Sequence, residues 1–442
     1  MLHRRAALSL VGGAALAAGS AGPAPRRAAA AAPASALPRA GRPEEVGLSS
    51  ERLARVTAWL RGEVDRGRIP GAVVAIGRKG RIAHLDAVGF RDREANAPMA
   101  VDAVFGLASM TKPIVSLALM VLAEENKVQL GDPVGRHLPE FRDQKVGVAR
   151  VVNGRMEMAL EPAQRPTTLQ DLLRHTSGLC YDYPGDNPVR KAYRDAKLRG
   201  PGVGAEEFLR RLAALPLMHQ PGTTWEYSYS TDVVGHVVER VSGQDLNSFV
   251  AQRITGPLGM PDTAFFLGDR AKDRVAEPQA ERGTGQRPAL GSRSPFQPMP
   301  RFSGGGGMVG TAMDYARFCQ ALLNGGRLEE TQIVSRKTVE LMTADHLLPG
   351  TRYESDVPSY YGVLAPTPEN GQGFGLGFAV RTEAGRSATP GSVGDYFWAG
   401  AYGTYFWVDP KEELYAVLMA QAPNERRELR PAFRQAVYQA II

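Results

Sequence analysis

The chain has 442 residues, of which 43% are hydrophobic and 22% charged, a balance typical of soluble globular proteins. Two cysteines are too few for a disulfide scaffold, and glycines and prolines without a fixed period exclude a collagen-like chain. The formal net charge is +7, but four of the 53 basic residues are arginines within residues 1–32, so the remainder carries only +3. Because no basic block interleaves with aromatic residues there, we expect no nucleic-acid partner.

The N-terminal residues have the pattern of an export signal. A short basic stretch, Met1–Arg5, precedes an apolar one, Ala6–Ala18, and small residues follow. The adjacent Arg4 and Arg5 are compatible with twin-arginine export. A non-cleaved anchor and a disordered tail are the alternatives. We expect an exported protein, periplasmic or extracellular, without a stable membrane span after processing, and three parts: a signal peptide at 1–32, a linker at 33–43 and one folded domain at 44–442.

Hydrophobic periodicity predicts helices and strands along the rest of the chain. Helices are expected at residues 50–66, 113–125, 167–180, 206–214, 232–254 and 426–441. Strands are expected at residues 72–78, 81–88, 374–380, 392–397, 404–408 and 414–419. A polar segment at 271–301 has no periodicity and is predicted to be a loop. Strands near both ends around a helical middle indicate one sheet built from both termini, with a helical region inserted.

Ser109 and Lys112 form the first candidate catalytic pair, in the sequence Ser109-Met110-Thr111-Lys112. Pro113 lacks an N–H and fits only the first turn of a helix, so a helix begins close to Ser109. Lys112 then lies one turn later on the same face, where a partly desolvated lysine can take the serine proton. An N-capping serine followed by an exposed lysine fits these residues equally well.

Two further candidates lie later in the chain. Tyr227-Ser228 stands on a loop before an apolar helix, where a phenolate beside an ammonium group could act as general base and then general acid. A tyrosine ring packed under the loop is the alternative. The segment Trp398-Ala399-Gly400-Ala401 is expected on or beside an edge strand, whose small residues let a backbone N–H approach an oxyanion. A glycine bulge in a hairpin is the alternative there.

Other catalytic and binding motifs are excluded. Residues 305–310 fit G-x-G-x-x-G, but they follow no buried strand and precede no Lys-Ser/Thr, so they do not indicate nucleotide binding. G-x-S-x-G is absent, and the seven scattered histidines lack metal-ligand spacing. His175 could be a base or help to end a helix. After export, Cys180 and Cys319 could pair or remain two buried thiols.

The order S-x-x-K, Tyr-Ser and Trp-x-Gly resembles that of the serine β-lactamase and penicillin-binding-protein superfamily, over about residues 44–440. Further similar stretches lie at residues 43–48, 69–71, 105–113, 172–179, 305–314 and 373–378. The resemblance implies an α/β (α+β) fold of the β-lactamase/transpeptidase type. In that fold an antiparallel sheet is flanked by helices, an all-helical region is added, and the site lies between the two.

The chain departs from class C β-lactamases at two motifs. Their Tyr-x-Asn has Tyr229 at its third position here, and their Lys-Thr-Gly is replaced by Trp398-Ala399-Gly400. The missing amide and ammonium groups are those expected to bind a β-lactam. The pattern Tyr-Ser-x-x-x-Asp232-Val-x-Gly with Trp-x-Gly instead resembles family VIII carboxylesterases and related acyltransferases. We interpret Asp232 as a helix-start acceptor.

This resemblance implies that Ser109 attacks an ester carbonyl while Lys112 and Tyr227 act as the acid–base pair. The backbone N–H groups of Ser109 and Ala401 would hold the oxyanion, with no metal or organic cofactor. The partner would be a small-molecule ester or acyl substrate, bound in part by Tyr229, Trp398, Ala399 and Gly400. A β-lactamase or D-Ala-D-Ala carboxypeptidase is one alternative. A non-catalytic exported protein that binds a peptide or peptidoglycan is the other.

Overall fold

An eight-stranded antiparallel sheet organises this computed structural model, which describes residues 36–183, 187–199, 202–280, 282, 285, 296–354, 357 and 361–442. The strands in chain order are β1 (Gly71–Arg78), β2 (Arg81–Asp92), β3 (Ala97–Pro98), β4 (Phe105–Gly106), β5 (Lys145–Val152), β6 (Arg155–Pro162), β7 (Thr224–Trp225), β8 (Val309–Gly310), β9 (Arg327–Leu328), β10 (Thr331–Gln332), β11 (Arg352–Tyr353), β12 (Gln372–Phe374), β13 (Ala379–Arg381), β14 (Tyr396–Ala399), β15 (Tyr405–Asp409) and β16 (Leu414–Ala420). The order in the large sheet is β12-β13-β14-β15-β16-β1-β2-β3.

The junction between β1 and β16 joins the two ends of the domain. Ala75 lies opposite Val417 in this antiparallel pair, and every residue of both strands is buried. Complete burial requires cover on both faces of the sheet, as their continuous apolar sequences suggest. The prediction of one sheet built from both ends of the chain is therefore confirmed, as is the hairpin of β1 and β2.

Helices pack on this sheet and form a separate group in the middle of the chain. Those of the described residues are α1 (Ser50–Asp65), α2 (Thr111–Glu124), α3 (Val134–His137), α4 (Leu169–Leu173), α5 (Pro188–Asp195), α6 (Ala205–Ala213), α7 (Ser230–Ser242), α8 (Leu246–Val250), α9 (Ala312–Leu323), α10 (Arg336–Met342) and α11 (Arg426–Tyr438). Helices α1 and α11 contact each other, α9 packs on β1 and β16, and α2 packs on α7. The mixed α/β fold with a helical region agrees with the prediction.

The predicted helix at 232–254 is wrong as a single element. Helix α7 ends at Ser242 because Gly243 adopts a left-handed conformation, with φ of 70°. Asp245 then starts α8 by accepting a hydrogen bond from the Ser248 N–H at 2.9 Å. A π-helical turn, Ala251–Thr255, follows directly. Apolar periodicity continues across these breaks, which is why it did not reveal them.

The predicted strand at 374–380 is two short strands, β12 and β13, paired with each other. The chain turns between them, where the Gly375 N–H donates to the Phe378 carbonyl at 2.8 Å. Gly377 has a φ of 102°, and a Cβ there would lie 2.5 Å from the Ser116 hydroxyl oxygen. The predicted strand at 392–397 is also displaced, to β14.

Strand β14 has neighbours on both sides, so the expectation of an edge strand for Trp398 is wrong. Its pairing with β13 involves only Tyr396 and Phe397, whereas β15 pairs with all four residues. Trp398 and Ala399 therefore extend past the short strand β13. This leaves one side of the strand end available to the neighbouring helical region.

Two expectations concern the N-terminal residues and the cysteines. The predicted signal peptide lies outside the described residues, whereas Pro38, in the predicted linker, accepts a hydrogen bond from the Ile82 N–H at 2.8 Å. Cys180 and Cys319 are both buried and free, so the pairing considered for them does not form. Among the helices of the described ranges, none has the length and apolar character needed to cross a bilayer.

Strands β5 and β6 form a hairpin outside the large sheet that periodicity did not predict. Their residues pair from Lys145 with Pro162 to Val152 with Arg155. Five large apolar side chains are exposed here, those of Val151, Val152, Met156, Met158 and Leu160. The hairpin touches the rest of the protein at its base, where Leu217 exchanges backbone hydrogen bonds with β5.

Candidate active site

Ser109 lies on a 3-10 turn, Ala108–Met110, immediately before α2. Ala108 has a φ of 46°, an unfavourable left-handed conformation for a residue with a side chain. The turn is held from behind, since Tyr315 donates to the Met110 carbonyl at 2.9 Å and Thr111 accepts from the Met308 N–H at 3.0 Å. Ser109 is therefore presented at the N-terminus of a buried helix on a constrained backbone.

Lys112 is buried, with 1% of its surface exposed, which contradicts the alternative of an exposed lysine. Its Nζ lies 3.3 Å from the Ser109 hydroxyl oxygen, 3.1 Å from the Tyr181 hydroxyl oxygen and 2.6 Å from the Gly305 carbonyl oxygen. The same Nζ lies 4.5 Å from the centre of the Tyr227 ring. These contacts fix the amine beside the serine.

Tyr227 completes this cluster. Its hydroxyl shares a hydrogen bond with Ser109 and accepts another from the Trp398 indole N–H at 3.1 Å. Burial raises the pKa of Tyr227 well above that of free tyrosine, although the bonds with Ser109 and Trp398 act in the opposite direction. The phenol is therefore protonated at neutral pH. The structure thus brings Ser109, Lys112 and Tyr227 together in one cluster.

The glycine-rich segment at 305–310 contributes to the site without binding a nucleotide. Pairing of β4 with β8 brings it beside the turn that carries Ser109, and its Gly305 carbonyl accepts from Lys112. A Cβ on Gly305 would lie 2.2 Å from a carboxylate oxygen of Asp232, so only glycine allows this approach. The segment was recognised in the sequence, but its contact with Lys112 spans 193 residues and had no local signal.

Asp232 is not the helix-start acceptor that we expected. Its carboxylate accepts from Arg301 at 2.8 Å and from the Ser303 hydroxyl at 2.6 Å, and no backbone N–H of the α7 N-terminus donates to it. Burial acts to raise the pKa of Asp232, but the Arg301 guanidinium and the Ser303 hydroxyl outweigh it and hold the pKa below its usual value. The carboxylate therefore anchors the segment that leads into Gly305.

The end of β14 forms the opposite side of the site. Gly400 packs against the backbone that precedes Ser109, because a Cβ there would lie 2.3 Å from the Leu107 carbonyl oxygen. The Leu107 carbonyl also accepts from the Thr404 hydroxyl at 3.2 Å. Within the described ranges, neither the Ser109 N–H nor the Ala401 N–H donates to another group of the protein. Both donors are thus available for an oxyanion.

A cavity of about 630 Å³ opens beside Ser109. Of the residues predicted to bind substrate, Tyr229 lines this cavity, and so does Ala401. Trp398 instead contacts Tyr227, and Ala399 pairs with Tyr405 in the sheet. Apolar and aromatic side chains form much of the remaining wall, namely Tyr181, Tyr183, Leu198, Val203, Phe265, Met299, Pro300, Phe302 and Tyr402. A cavity of this size and character suits a largely apolar small molecule.

The two arginines in the cavity wall are paired with carboxylates. Arg199 forms an ion pair with Asp182, which also accepts from the Tyr229 hydroxyl at 3.0 Å, and Arg301 pairs with Asp232. Sequence reasoning missed Arg199 and Arg301 because no local pattern links either arginine to its acid. In the described parts of the chain, no three His, Cys, Asp or Glu side chains come together as possible metal ligands.

His175 lies behind Tyr227 and supports it. The predicted helix at 167–180 is limited to α4, and His175 follows it with a φ of 58°. Its ring centre lies 4.8 Å from that of Tyr227, and its Nδ1 lies 3.4 Å from the Ser228 hydroxyl. Complete burial lowers the pKa of His175 well below its usual value, so the ring is neutral.

Several known proteins are similar to this chain in sequence and in fold. A family model described as Beta-lactamase matches residues 56–439. Esterase EstB of Burkholderia gladioli is 35% identical over 408 residues, which cover 87% of this chain and 95% of EstB. Protein Rv1367c of Mycobacterium tuberculosis is 35% identical over 370 residues, covering 82% of this chain and 88% of that protein. The solved structure of EstCE1, a hydrolase with promiscuous acyltransferase activity, matches with a TM-score of 0.72 and 30% identity, covering 88% and 99% of the two chains.

Proposed function

The chain belongs to the Beta-lactamase family as a serine hydrolase, and from this premise we propose that it cleaves carboxylic esters through an acyl-enzyme on Ser109. The observation that carries the proposal is the meeting of three groups beside one cavity. The Ser109 hydroxyl lies within hydrogen-bonding distance of the Lys112 amine and shares a hydrogen bond with Tyr227. A nucleophile next to its proton acceptor is the arrangement that nucleophilic catalysis needs.

In the first half-reaction the Ser109 oxygen bonds to the ester carbonyl carbon, and its proton passes to the Lys112–Tyr227 pair. The backbone N–H groups of Ser109 and Ala401 stabilise the oxyanion that forms. The bond to the alcohol then breaks, and the pair returns the proton to the departing alkoxide. Because burial keeps Tyr227 in its phenol form, this side chain suits the acid step.

In the second half-reaction water attacks the acyl group on Ser109. The Lys112–Tyr227 pair accepts a proton from the water and returns it to the serine oxygen as the acid leaves. The same two N–H groups stabilise the second oxyanion. An alcohol in place of water would give a transesterification, the type of reaction that the description of EstCE1 as a promiscuous acyltransferase indicates for that protein.

The charges of the cavity favour a neutral ester over a β-lactam. Both wall arginines, Arg199 and Arg301, are already paired with carboxylates. Trp398 occupies the position where the resemblance gives class C β-lactamases a lysine, and its N–H donates to Tyr227. A β-lactam carboxylate would therefore find fewer unpaired cations here than in those enzymes.

Hydrolysis of p-nitrophenyl butyrate near pH 8 tests the proposal. Ser109→Ala should lower kcat at least about 10⁴-fold, because removal of a nucleophile eliminates covalent catalysis. Ser116→Ala is the matched control, since Ser116 is a buried serine of α2, the helix that follows Ser109, without a hydrogen-bond partner among the described residues. Equal rates for Ser109→Ala and the parent chain would refute the proposal.

Two measurements separate the alternatives. Faster turnover of a cephalosporin than of simple esters would favour a β-lactamase or a D-Ala-D-Ala carboxypeptidase. Mass spectrometry of protein quenched during ester turnover should find one acyl group on the peptide that contains Ser109. A chain that binds peptides without forming this adduct would instead be a binding protein.

We also propose that the protein acts outside the cytoplasm. The support is the sequence of residues 1–32, with a basic start, an apolar stretch and small residues. Cell fractionation should recover esterase activity outside the cytoplasm. Replacing both Arg4 and Arg5 by lysine should retain the activity inside the cell if export uses the twin-arginine route.

A further inference from the structure

Arg430 of α11 lies behind the oxyanion side of the site. Its Nη2 donates to the Gly400 carbonyl oxygen at 2.5 Å, and only 8% of its surface is exposed. In the described part of the chain no carboxylate pairs with it, and its Nε has no acceptor. Burying a charge without a carboxylate partner is unfavourable for folding. The presence of Arg430 at this position is therefore not explained by stability.

Arg434, one turn later on the same helix, shows how a buried arginine is normally satisfied. Its guanidinium is paired with Asp395 and donates to the Tyr405 hydroxyl at 3.0 Å and to the Pro390 carbonyl at 2.7 Å. Burial lowers the pKa of Arg430 to about 9, which leaves it positively charged at neutral pH. The two arginines therefore lie on the same helix and are both buried, but only Arg430 contacts the turn that carries Gly400 and Ala401.

The Gly400 carbonyl and the Ala401 N–H belong to one peptide group. The carbonyl oxygen accepts from Arg430 and also from the Gly403 N–H at 3.0 Å, which fixes the plane of that peptide. The N–H at the other end of this peptide group belongs to Ala401, which lines the cavity, so it is available to a bound molecule. A cation at the carbonyl end polarises the peptide and makes its N–H a stronger donor.

We propose that Arg430 is a positioning residue for the oxyanion hole, which orients and polarises the Gly400–Ala401 peptide from behind. The role rests on the proposed function, because it requires an oxyanion to form beside Ser109. Arg430 does not touch the substrate. Its effect is greatest in the transition state, where negative charge develops on the substrate oxygen, so it should act on kcat more than on KM.

The test compares three variants of the full chain: Arg430→Gln, Arg430→Lys and Arg434→Gln. Arg430→Gln removes the charge and should lower kcat for p-nitrophenyl butyrate about tenfold. This is less than the roughly 10²–10³-fold cost of losing an oxyanion donor outright. KM should change by less than about threefold, since ground-state binding does not involve the developing charge.

Inhibition by phenylboronic acid provides a readout that a merely structural role would not move. Boron bonds to the Ser109 oxygen while the serine proton passes to the Lys112–Tyr227 pair, and an oxygen of the tetrahedral boronate then occupies the oxyanion position. The inhibition constant should rise in Arg430→Gln by about the same factor as kcat falls. Arg430→Lys keeps a positive donor but loses the planar guanidinium geometry, so it should recover only part of both losses and remain about threefold below the parent in kcat.

Arg434→Gln is the matched control, because it removes a buried arginine of the same helix that has no contact with Gly400. It should lower the melting temperature but leave kcat and the boronate inhibition constant within about twofold of the parent values. A folded Arg430→Gln variant that also stays within twofold would overturn the inference. A parent chain without Ser109-dependent turnover would instead overturn the proposed function, and this inference with it.

A second comparison applies if Arg430→Gln does not fold. Arg430→Lys is then compared with Arg434→Lys, each of which keeps the charge but loses the planar geometry of the guanidinium group. A fall in kcat with a matching rise in the boronate inhibition constant, in the first variant only, would support the role of Arg430. Equal effects in both variants would contradict it.

Discussion

The two sides of the active site are built from different parts of the polypeptide. On the helical side the proposed chemistry uses side chains. The Lys112 Nζ contacts Tyr181 and Gly305, which come from two other segments, and lies beside Ser109. On the sheet side, the proposed active group is a backbone donor, the Ala401 N–H of the turn after β14. That turn is supported by Leu107 and Arg430.

The difference shows how each side can fail. In the proposed mechanism, loss of the Lys112 or Tyr227 side chain removes a proton-transfer group that no other side chain replaces. On the sheet side the Ala401 N–H belongs to the backbone, so no side-chain substitution removes it. Substitutions there can only displace or weaken this donor. We therefore expect large losses of activity from the helical side and graded ones from the sheet side.

The largest effect should come from Lys112→Met, which keeps the length of the side chain but removes the amine. Because Ser109 then loses a buried proton-transfer partner, kcat for p-nitrophenyl butyrate should fall about 10³–10⁴-fold. Lys127→Met is a suitable control, since this half-exposed lysine just after α2 pairs only with Glu125 in the described structure. A Lys112→Met variant with more than a tenth of the parent kcat would show that the amine is not needed.

Tyr227→Phe should have the next largest effect and can reveal which proton Tyr227 moves. A fall in kcat of about 10²–10³-fold is expected with p-nitrophenyl butyrate, whose leaving group departs readily without protonation. With ethyl butyrate the loss should be at least about tenfold greater, because an alkoxide must be protonated as it leaves. Equal losses with both esters would contradict the general-acid role of Tyr227.

Gly400→Ala tests the sheet side. A Cβ would lie 2.1 Å from the Thr404 hydroxyl and 2.3 Å from the Leu107 carbonyl, so the turn must move away from the backbone that carries Ser109. We expect kcat to fall about 10–100-fold and the free energy of unfolding in urea to fall by about 1–3 kcal/mol. Gly131→Ala, with open space around its Cβ, should change neither quantity. Unchanged kcat in Gly400→Ala would show that the position of this turn is unimportant.

The same contrast explains what the sequence could predict about the site. Ser109 and Lys112 are three residues apart at a helix start, and that spacing places them on one face but leaves open whether Lys112 is buried or exposed. The contacts of Lys112 with Tyr181 and Gly305 span 69 and 193 residues, and only the tertiary fold creates them. Arg430 was equally invisible, because an arginine in an amphipathic helix has no sequence feature that distinguishes a buried guanidinium from an exposed one.

The fold shows a parallel division. Helix α1 and the β1–β2 hairpin were predictable because their apolar patterns end at clear capping and turn residues. The breaks at Gly243 and between β12 and β13 were missed, since apolar periodicity runs through both and tertiary contacts decide where the chain turns. The β5–β6 hairpin was missed as well. Its apolar side chains are exposed, so its sequence does not follow the pattern of buried and exposed residues on which the strand predictions rested.

The smallest effect should come from Trp398→Phe, at the one described hydrogen bond that joins strand β14 directly to Tyr227. The indole N–H favours the phenolate form of Tyr227, so its loss raises the pKa of that group further. If the Lys112–Tyr227 pair must lose a proton to act as base, the rising limb of kcat/KM should move up by about half to one pH unit. At pH 8 the rate should fall about three- to tenfold, and it should recover as the pH is raised. A lower rate with an unmoved limb would mean that Trp398 acts by packing and not through Tyr227, so the two sides would be chemically independent.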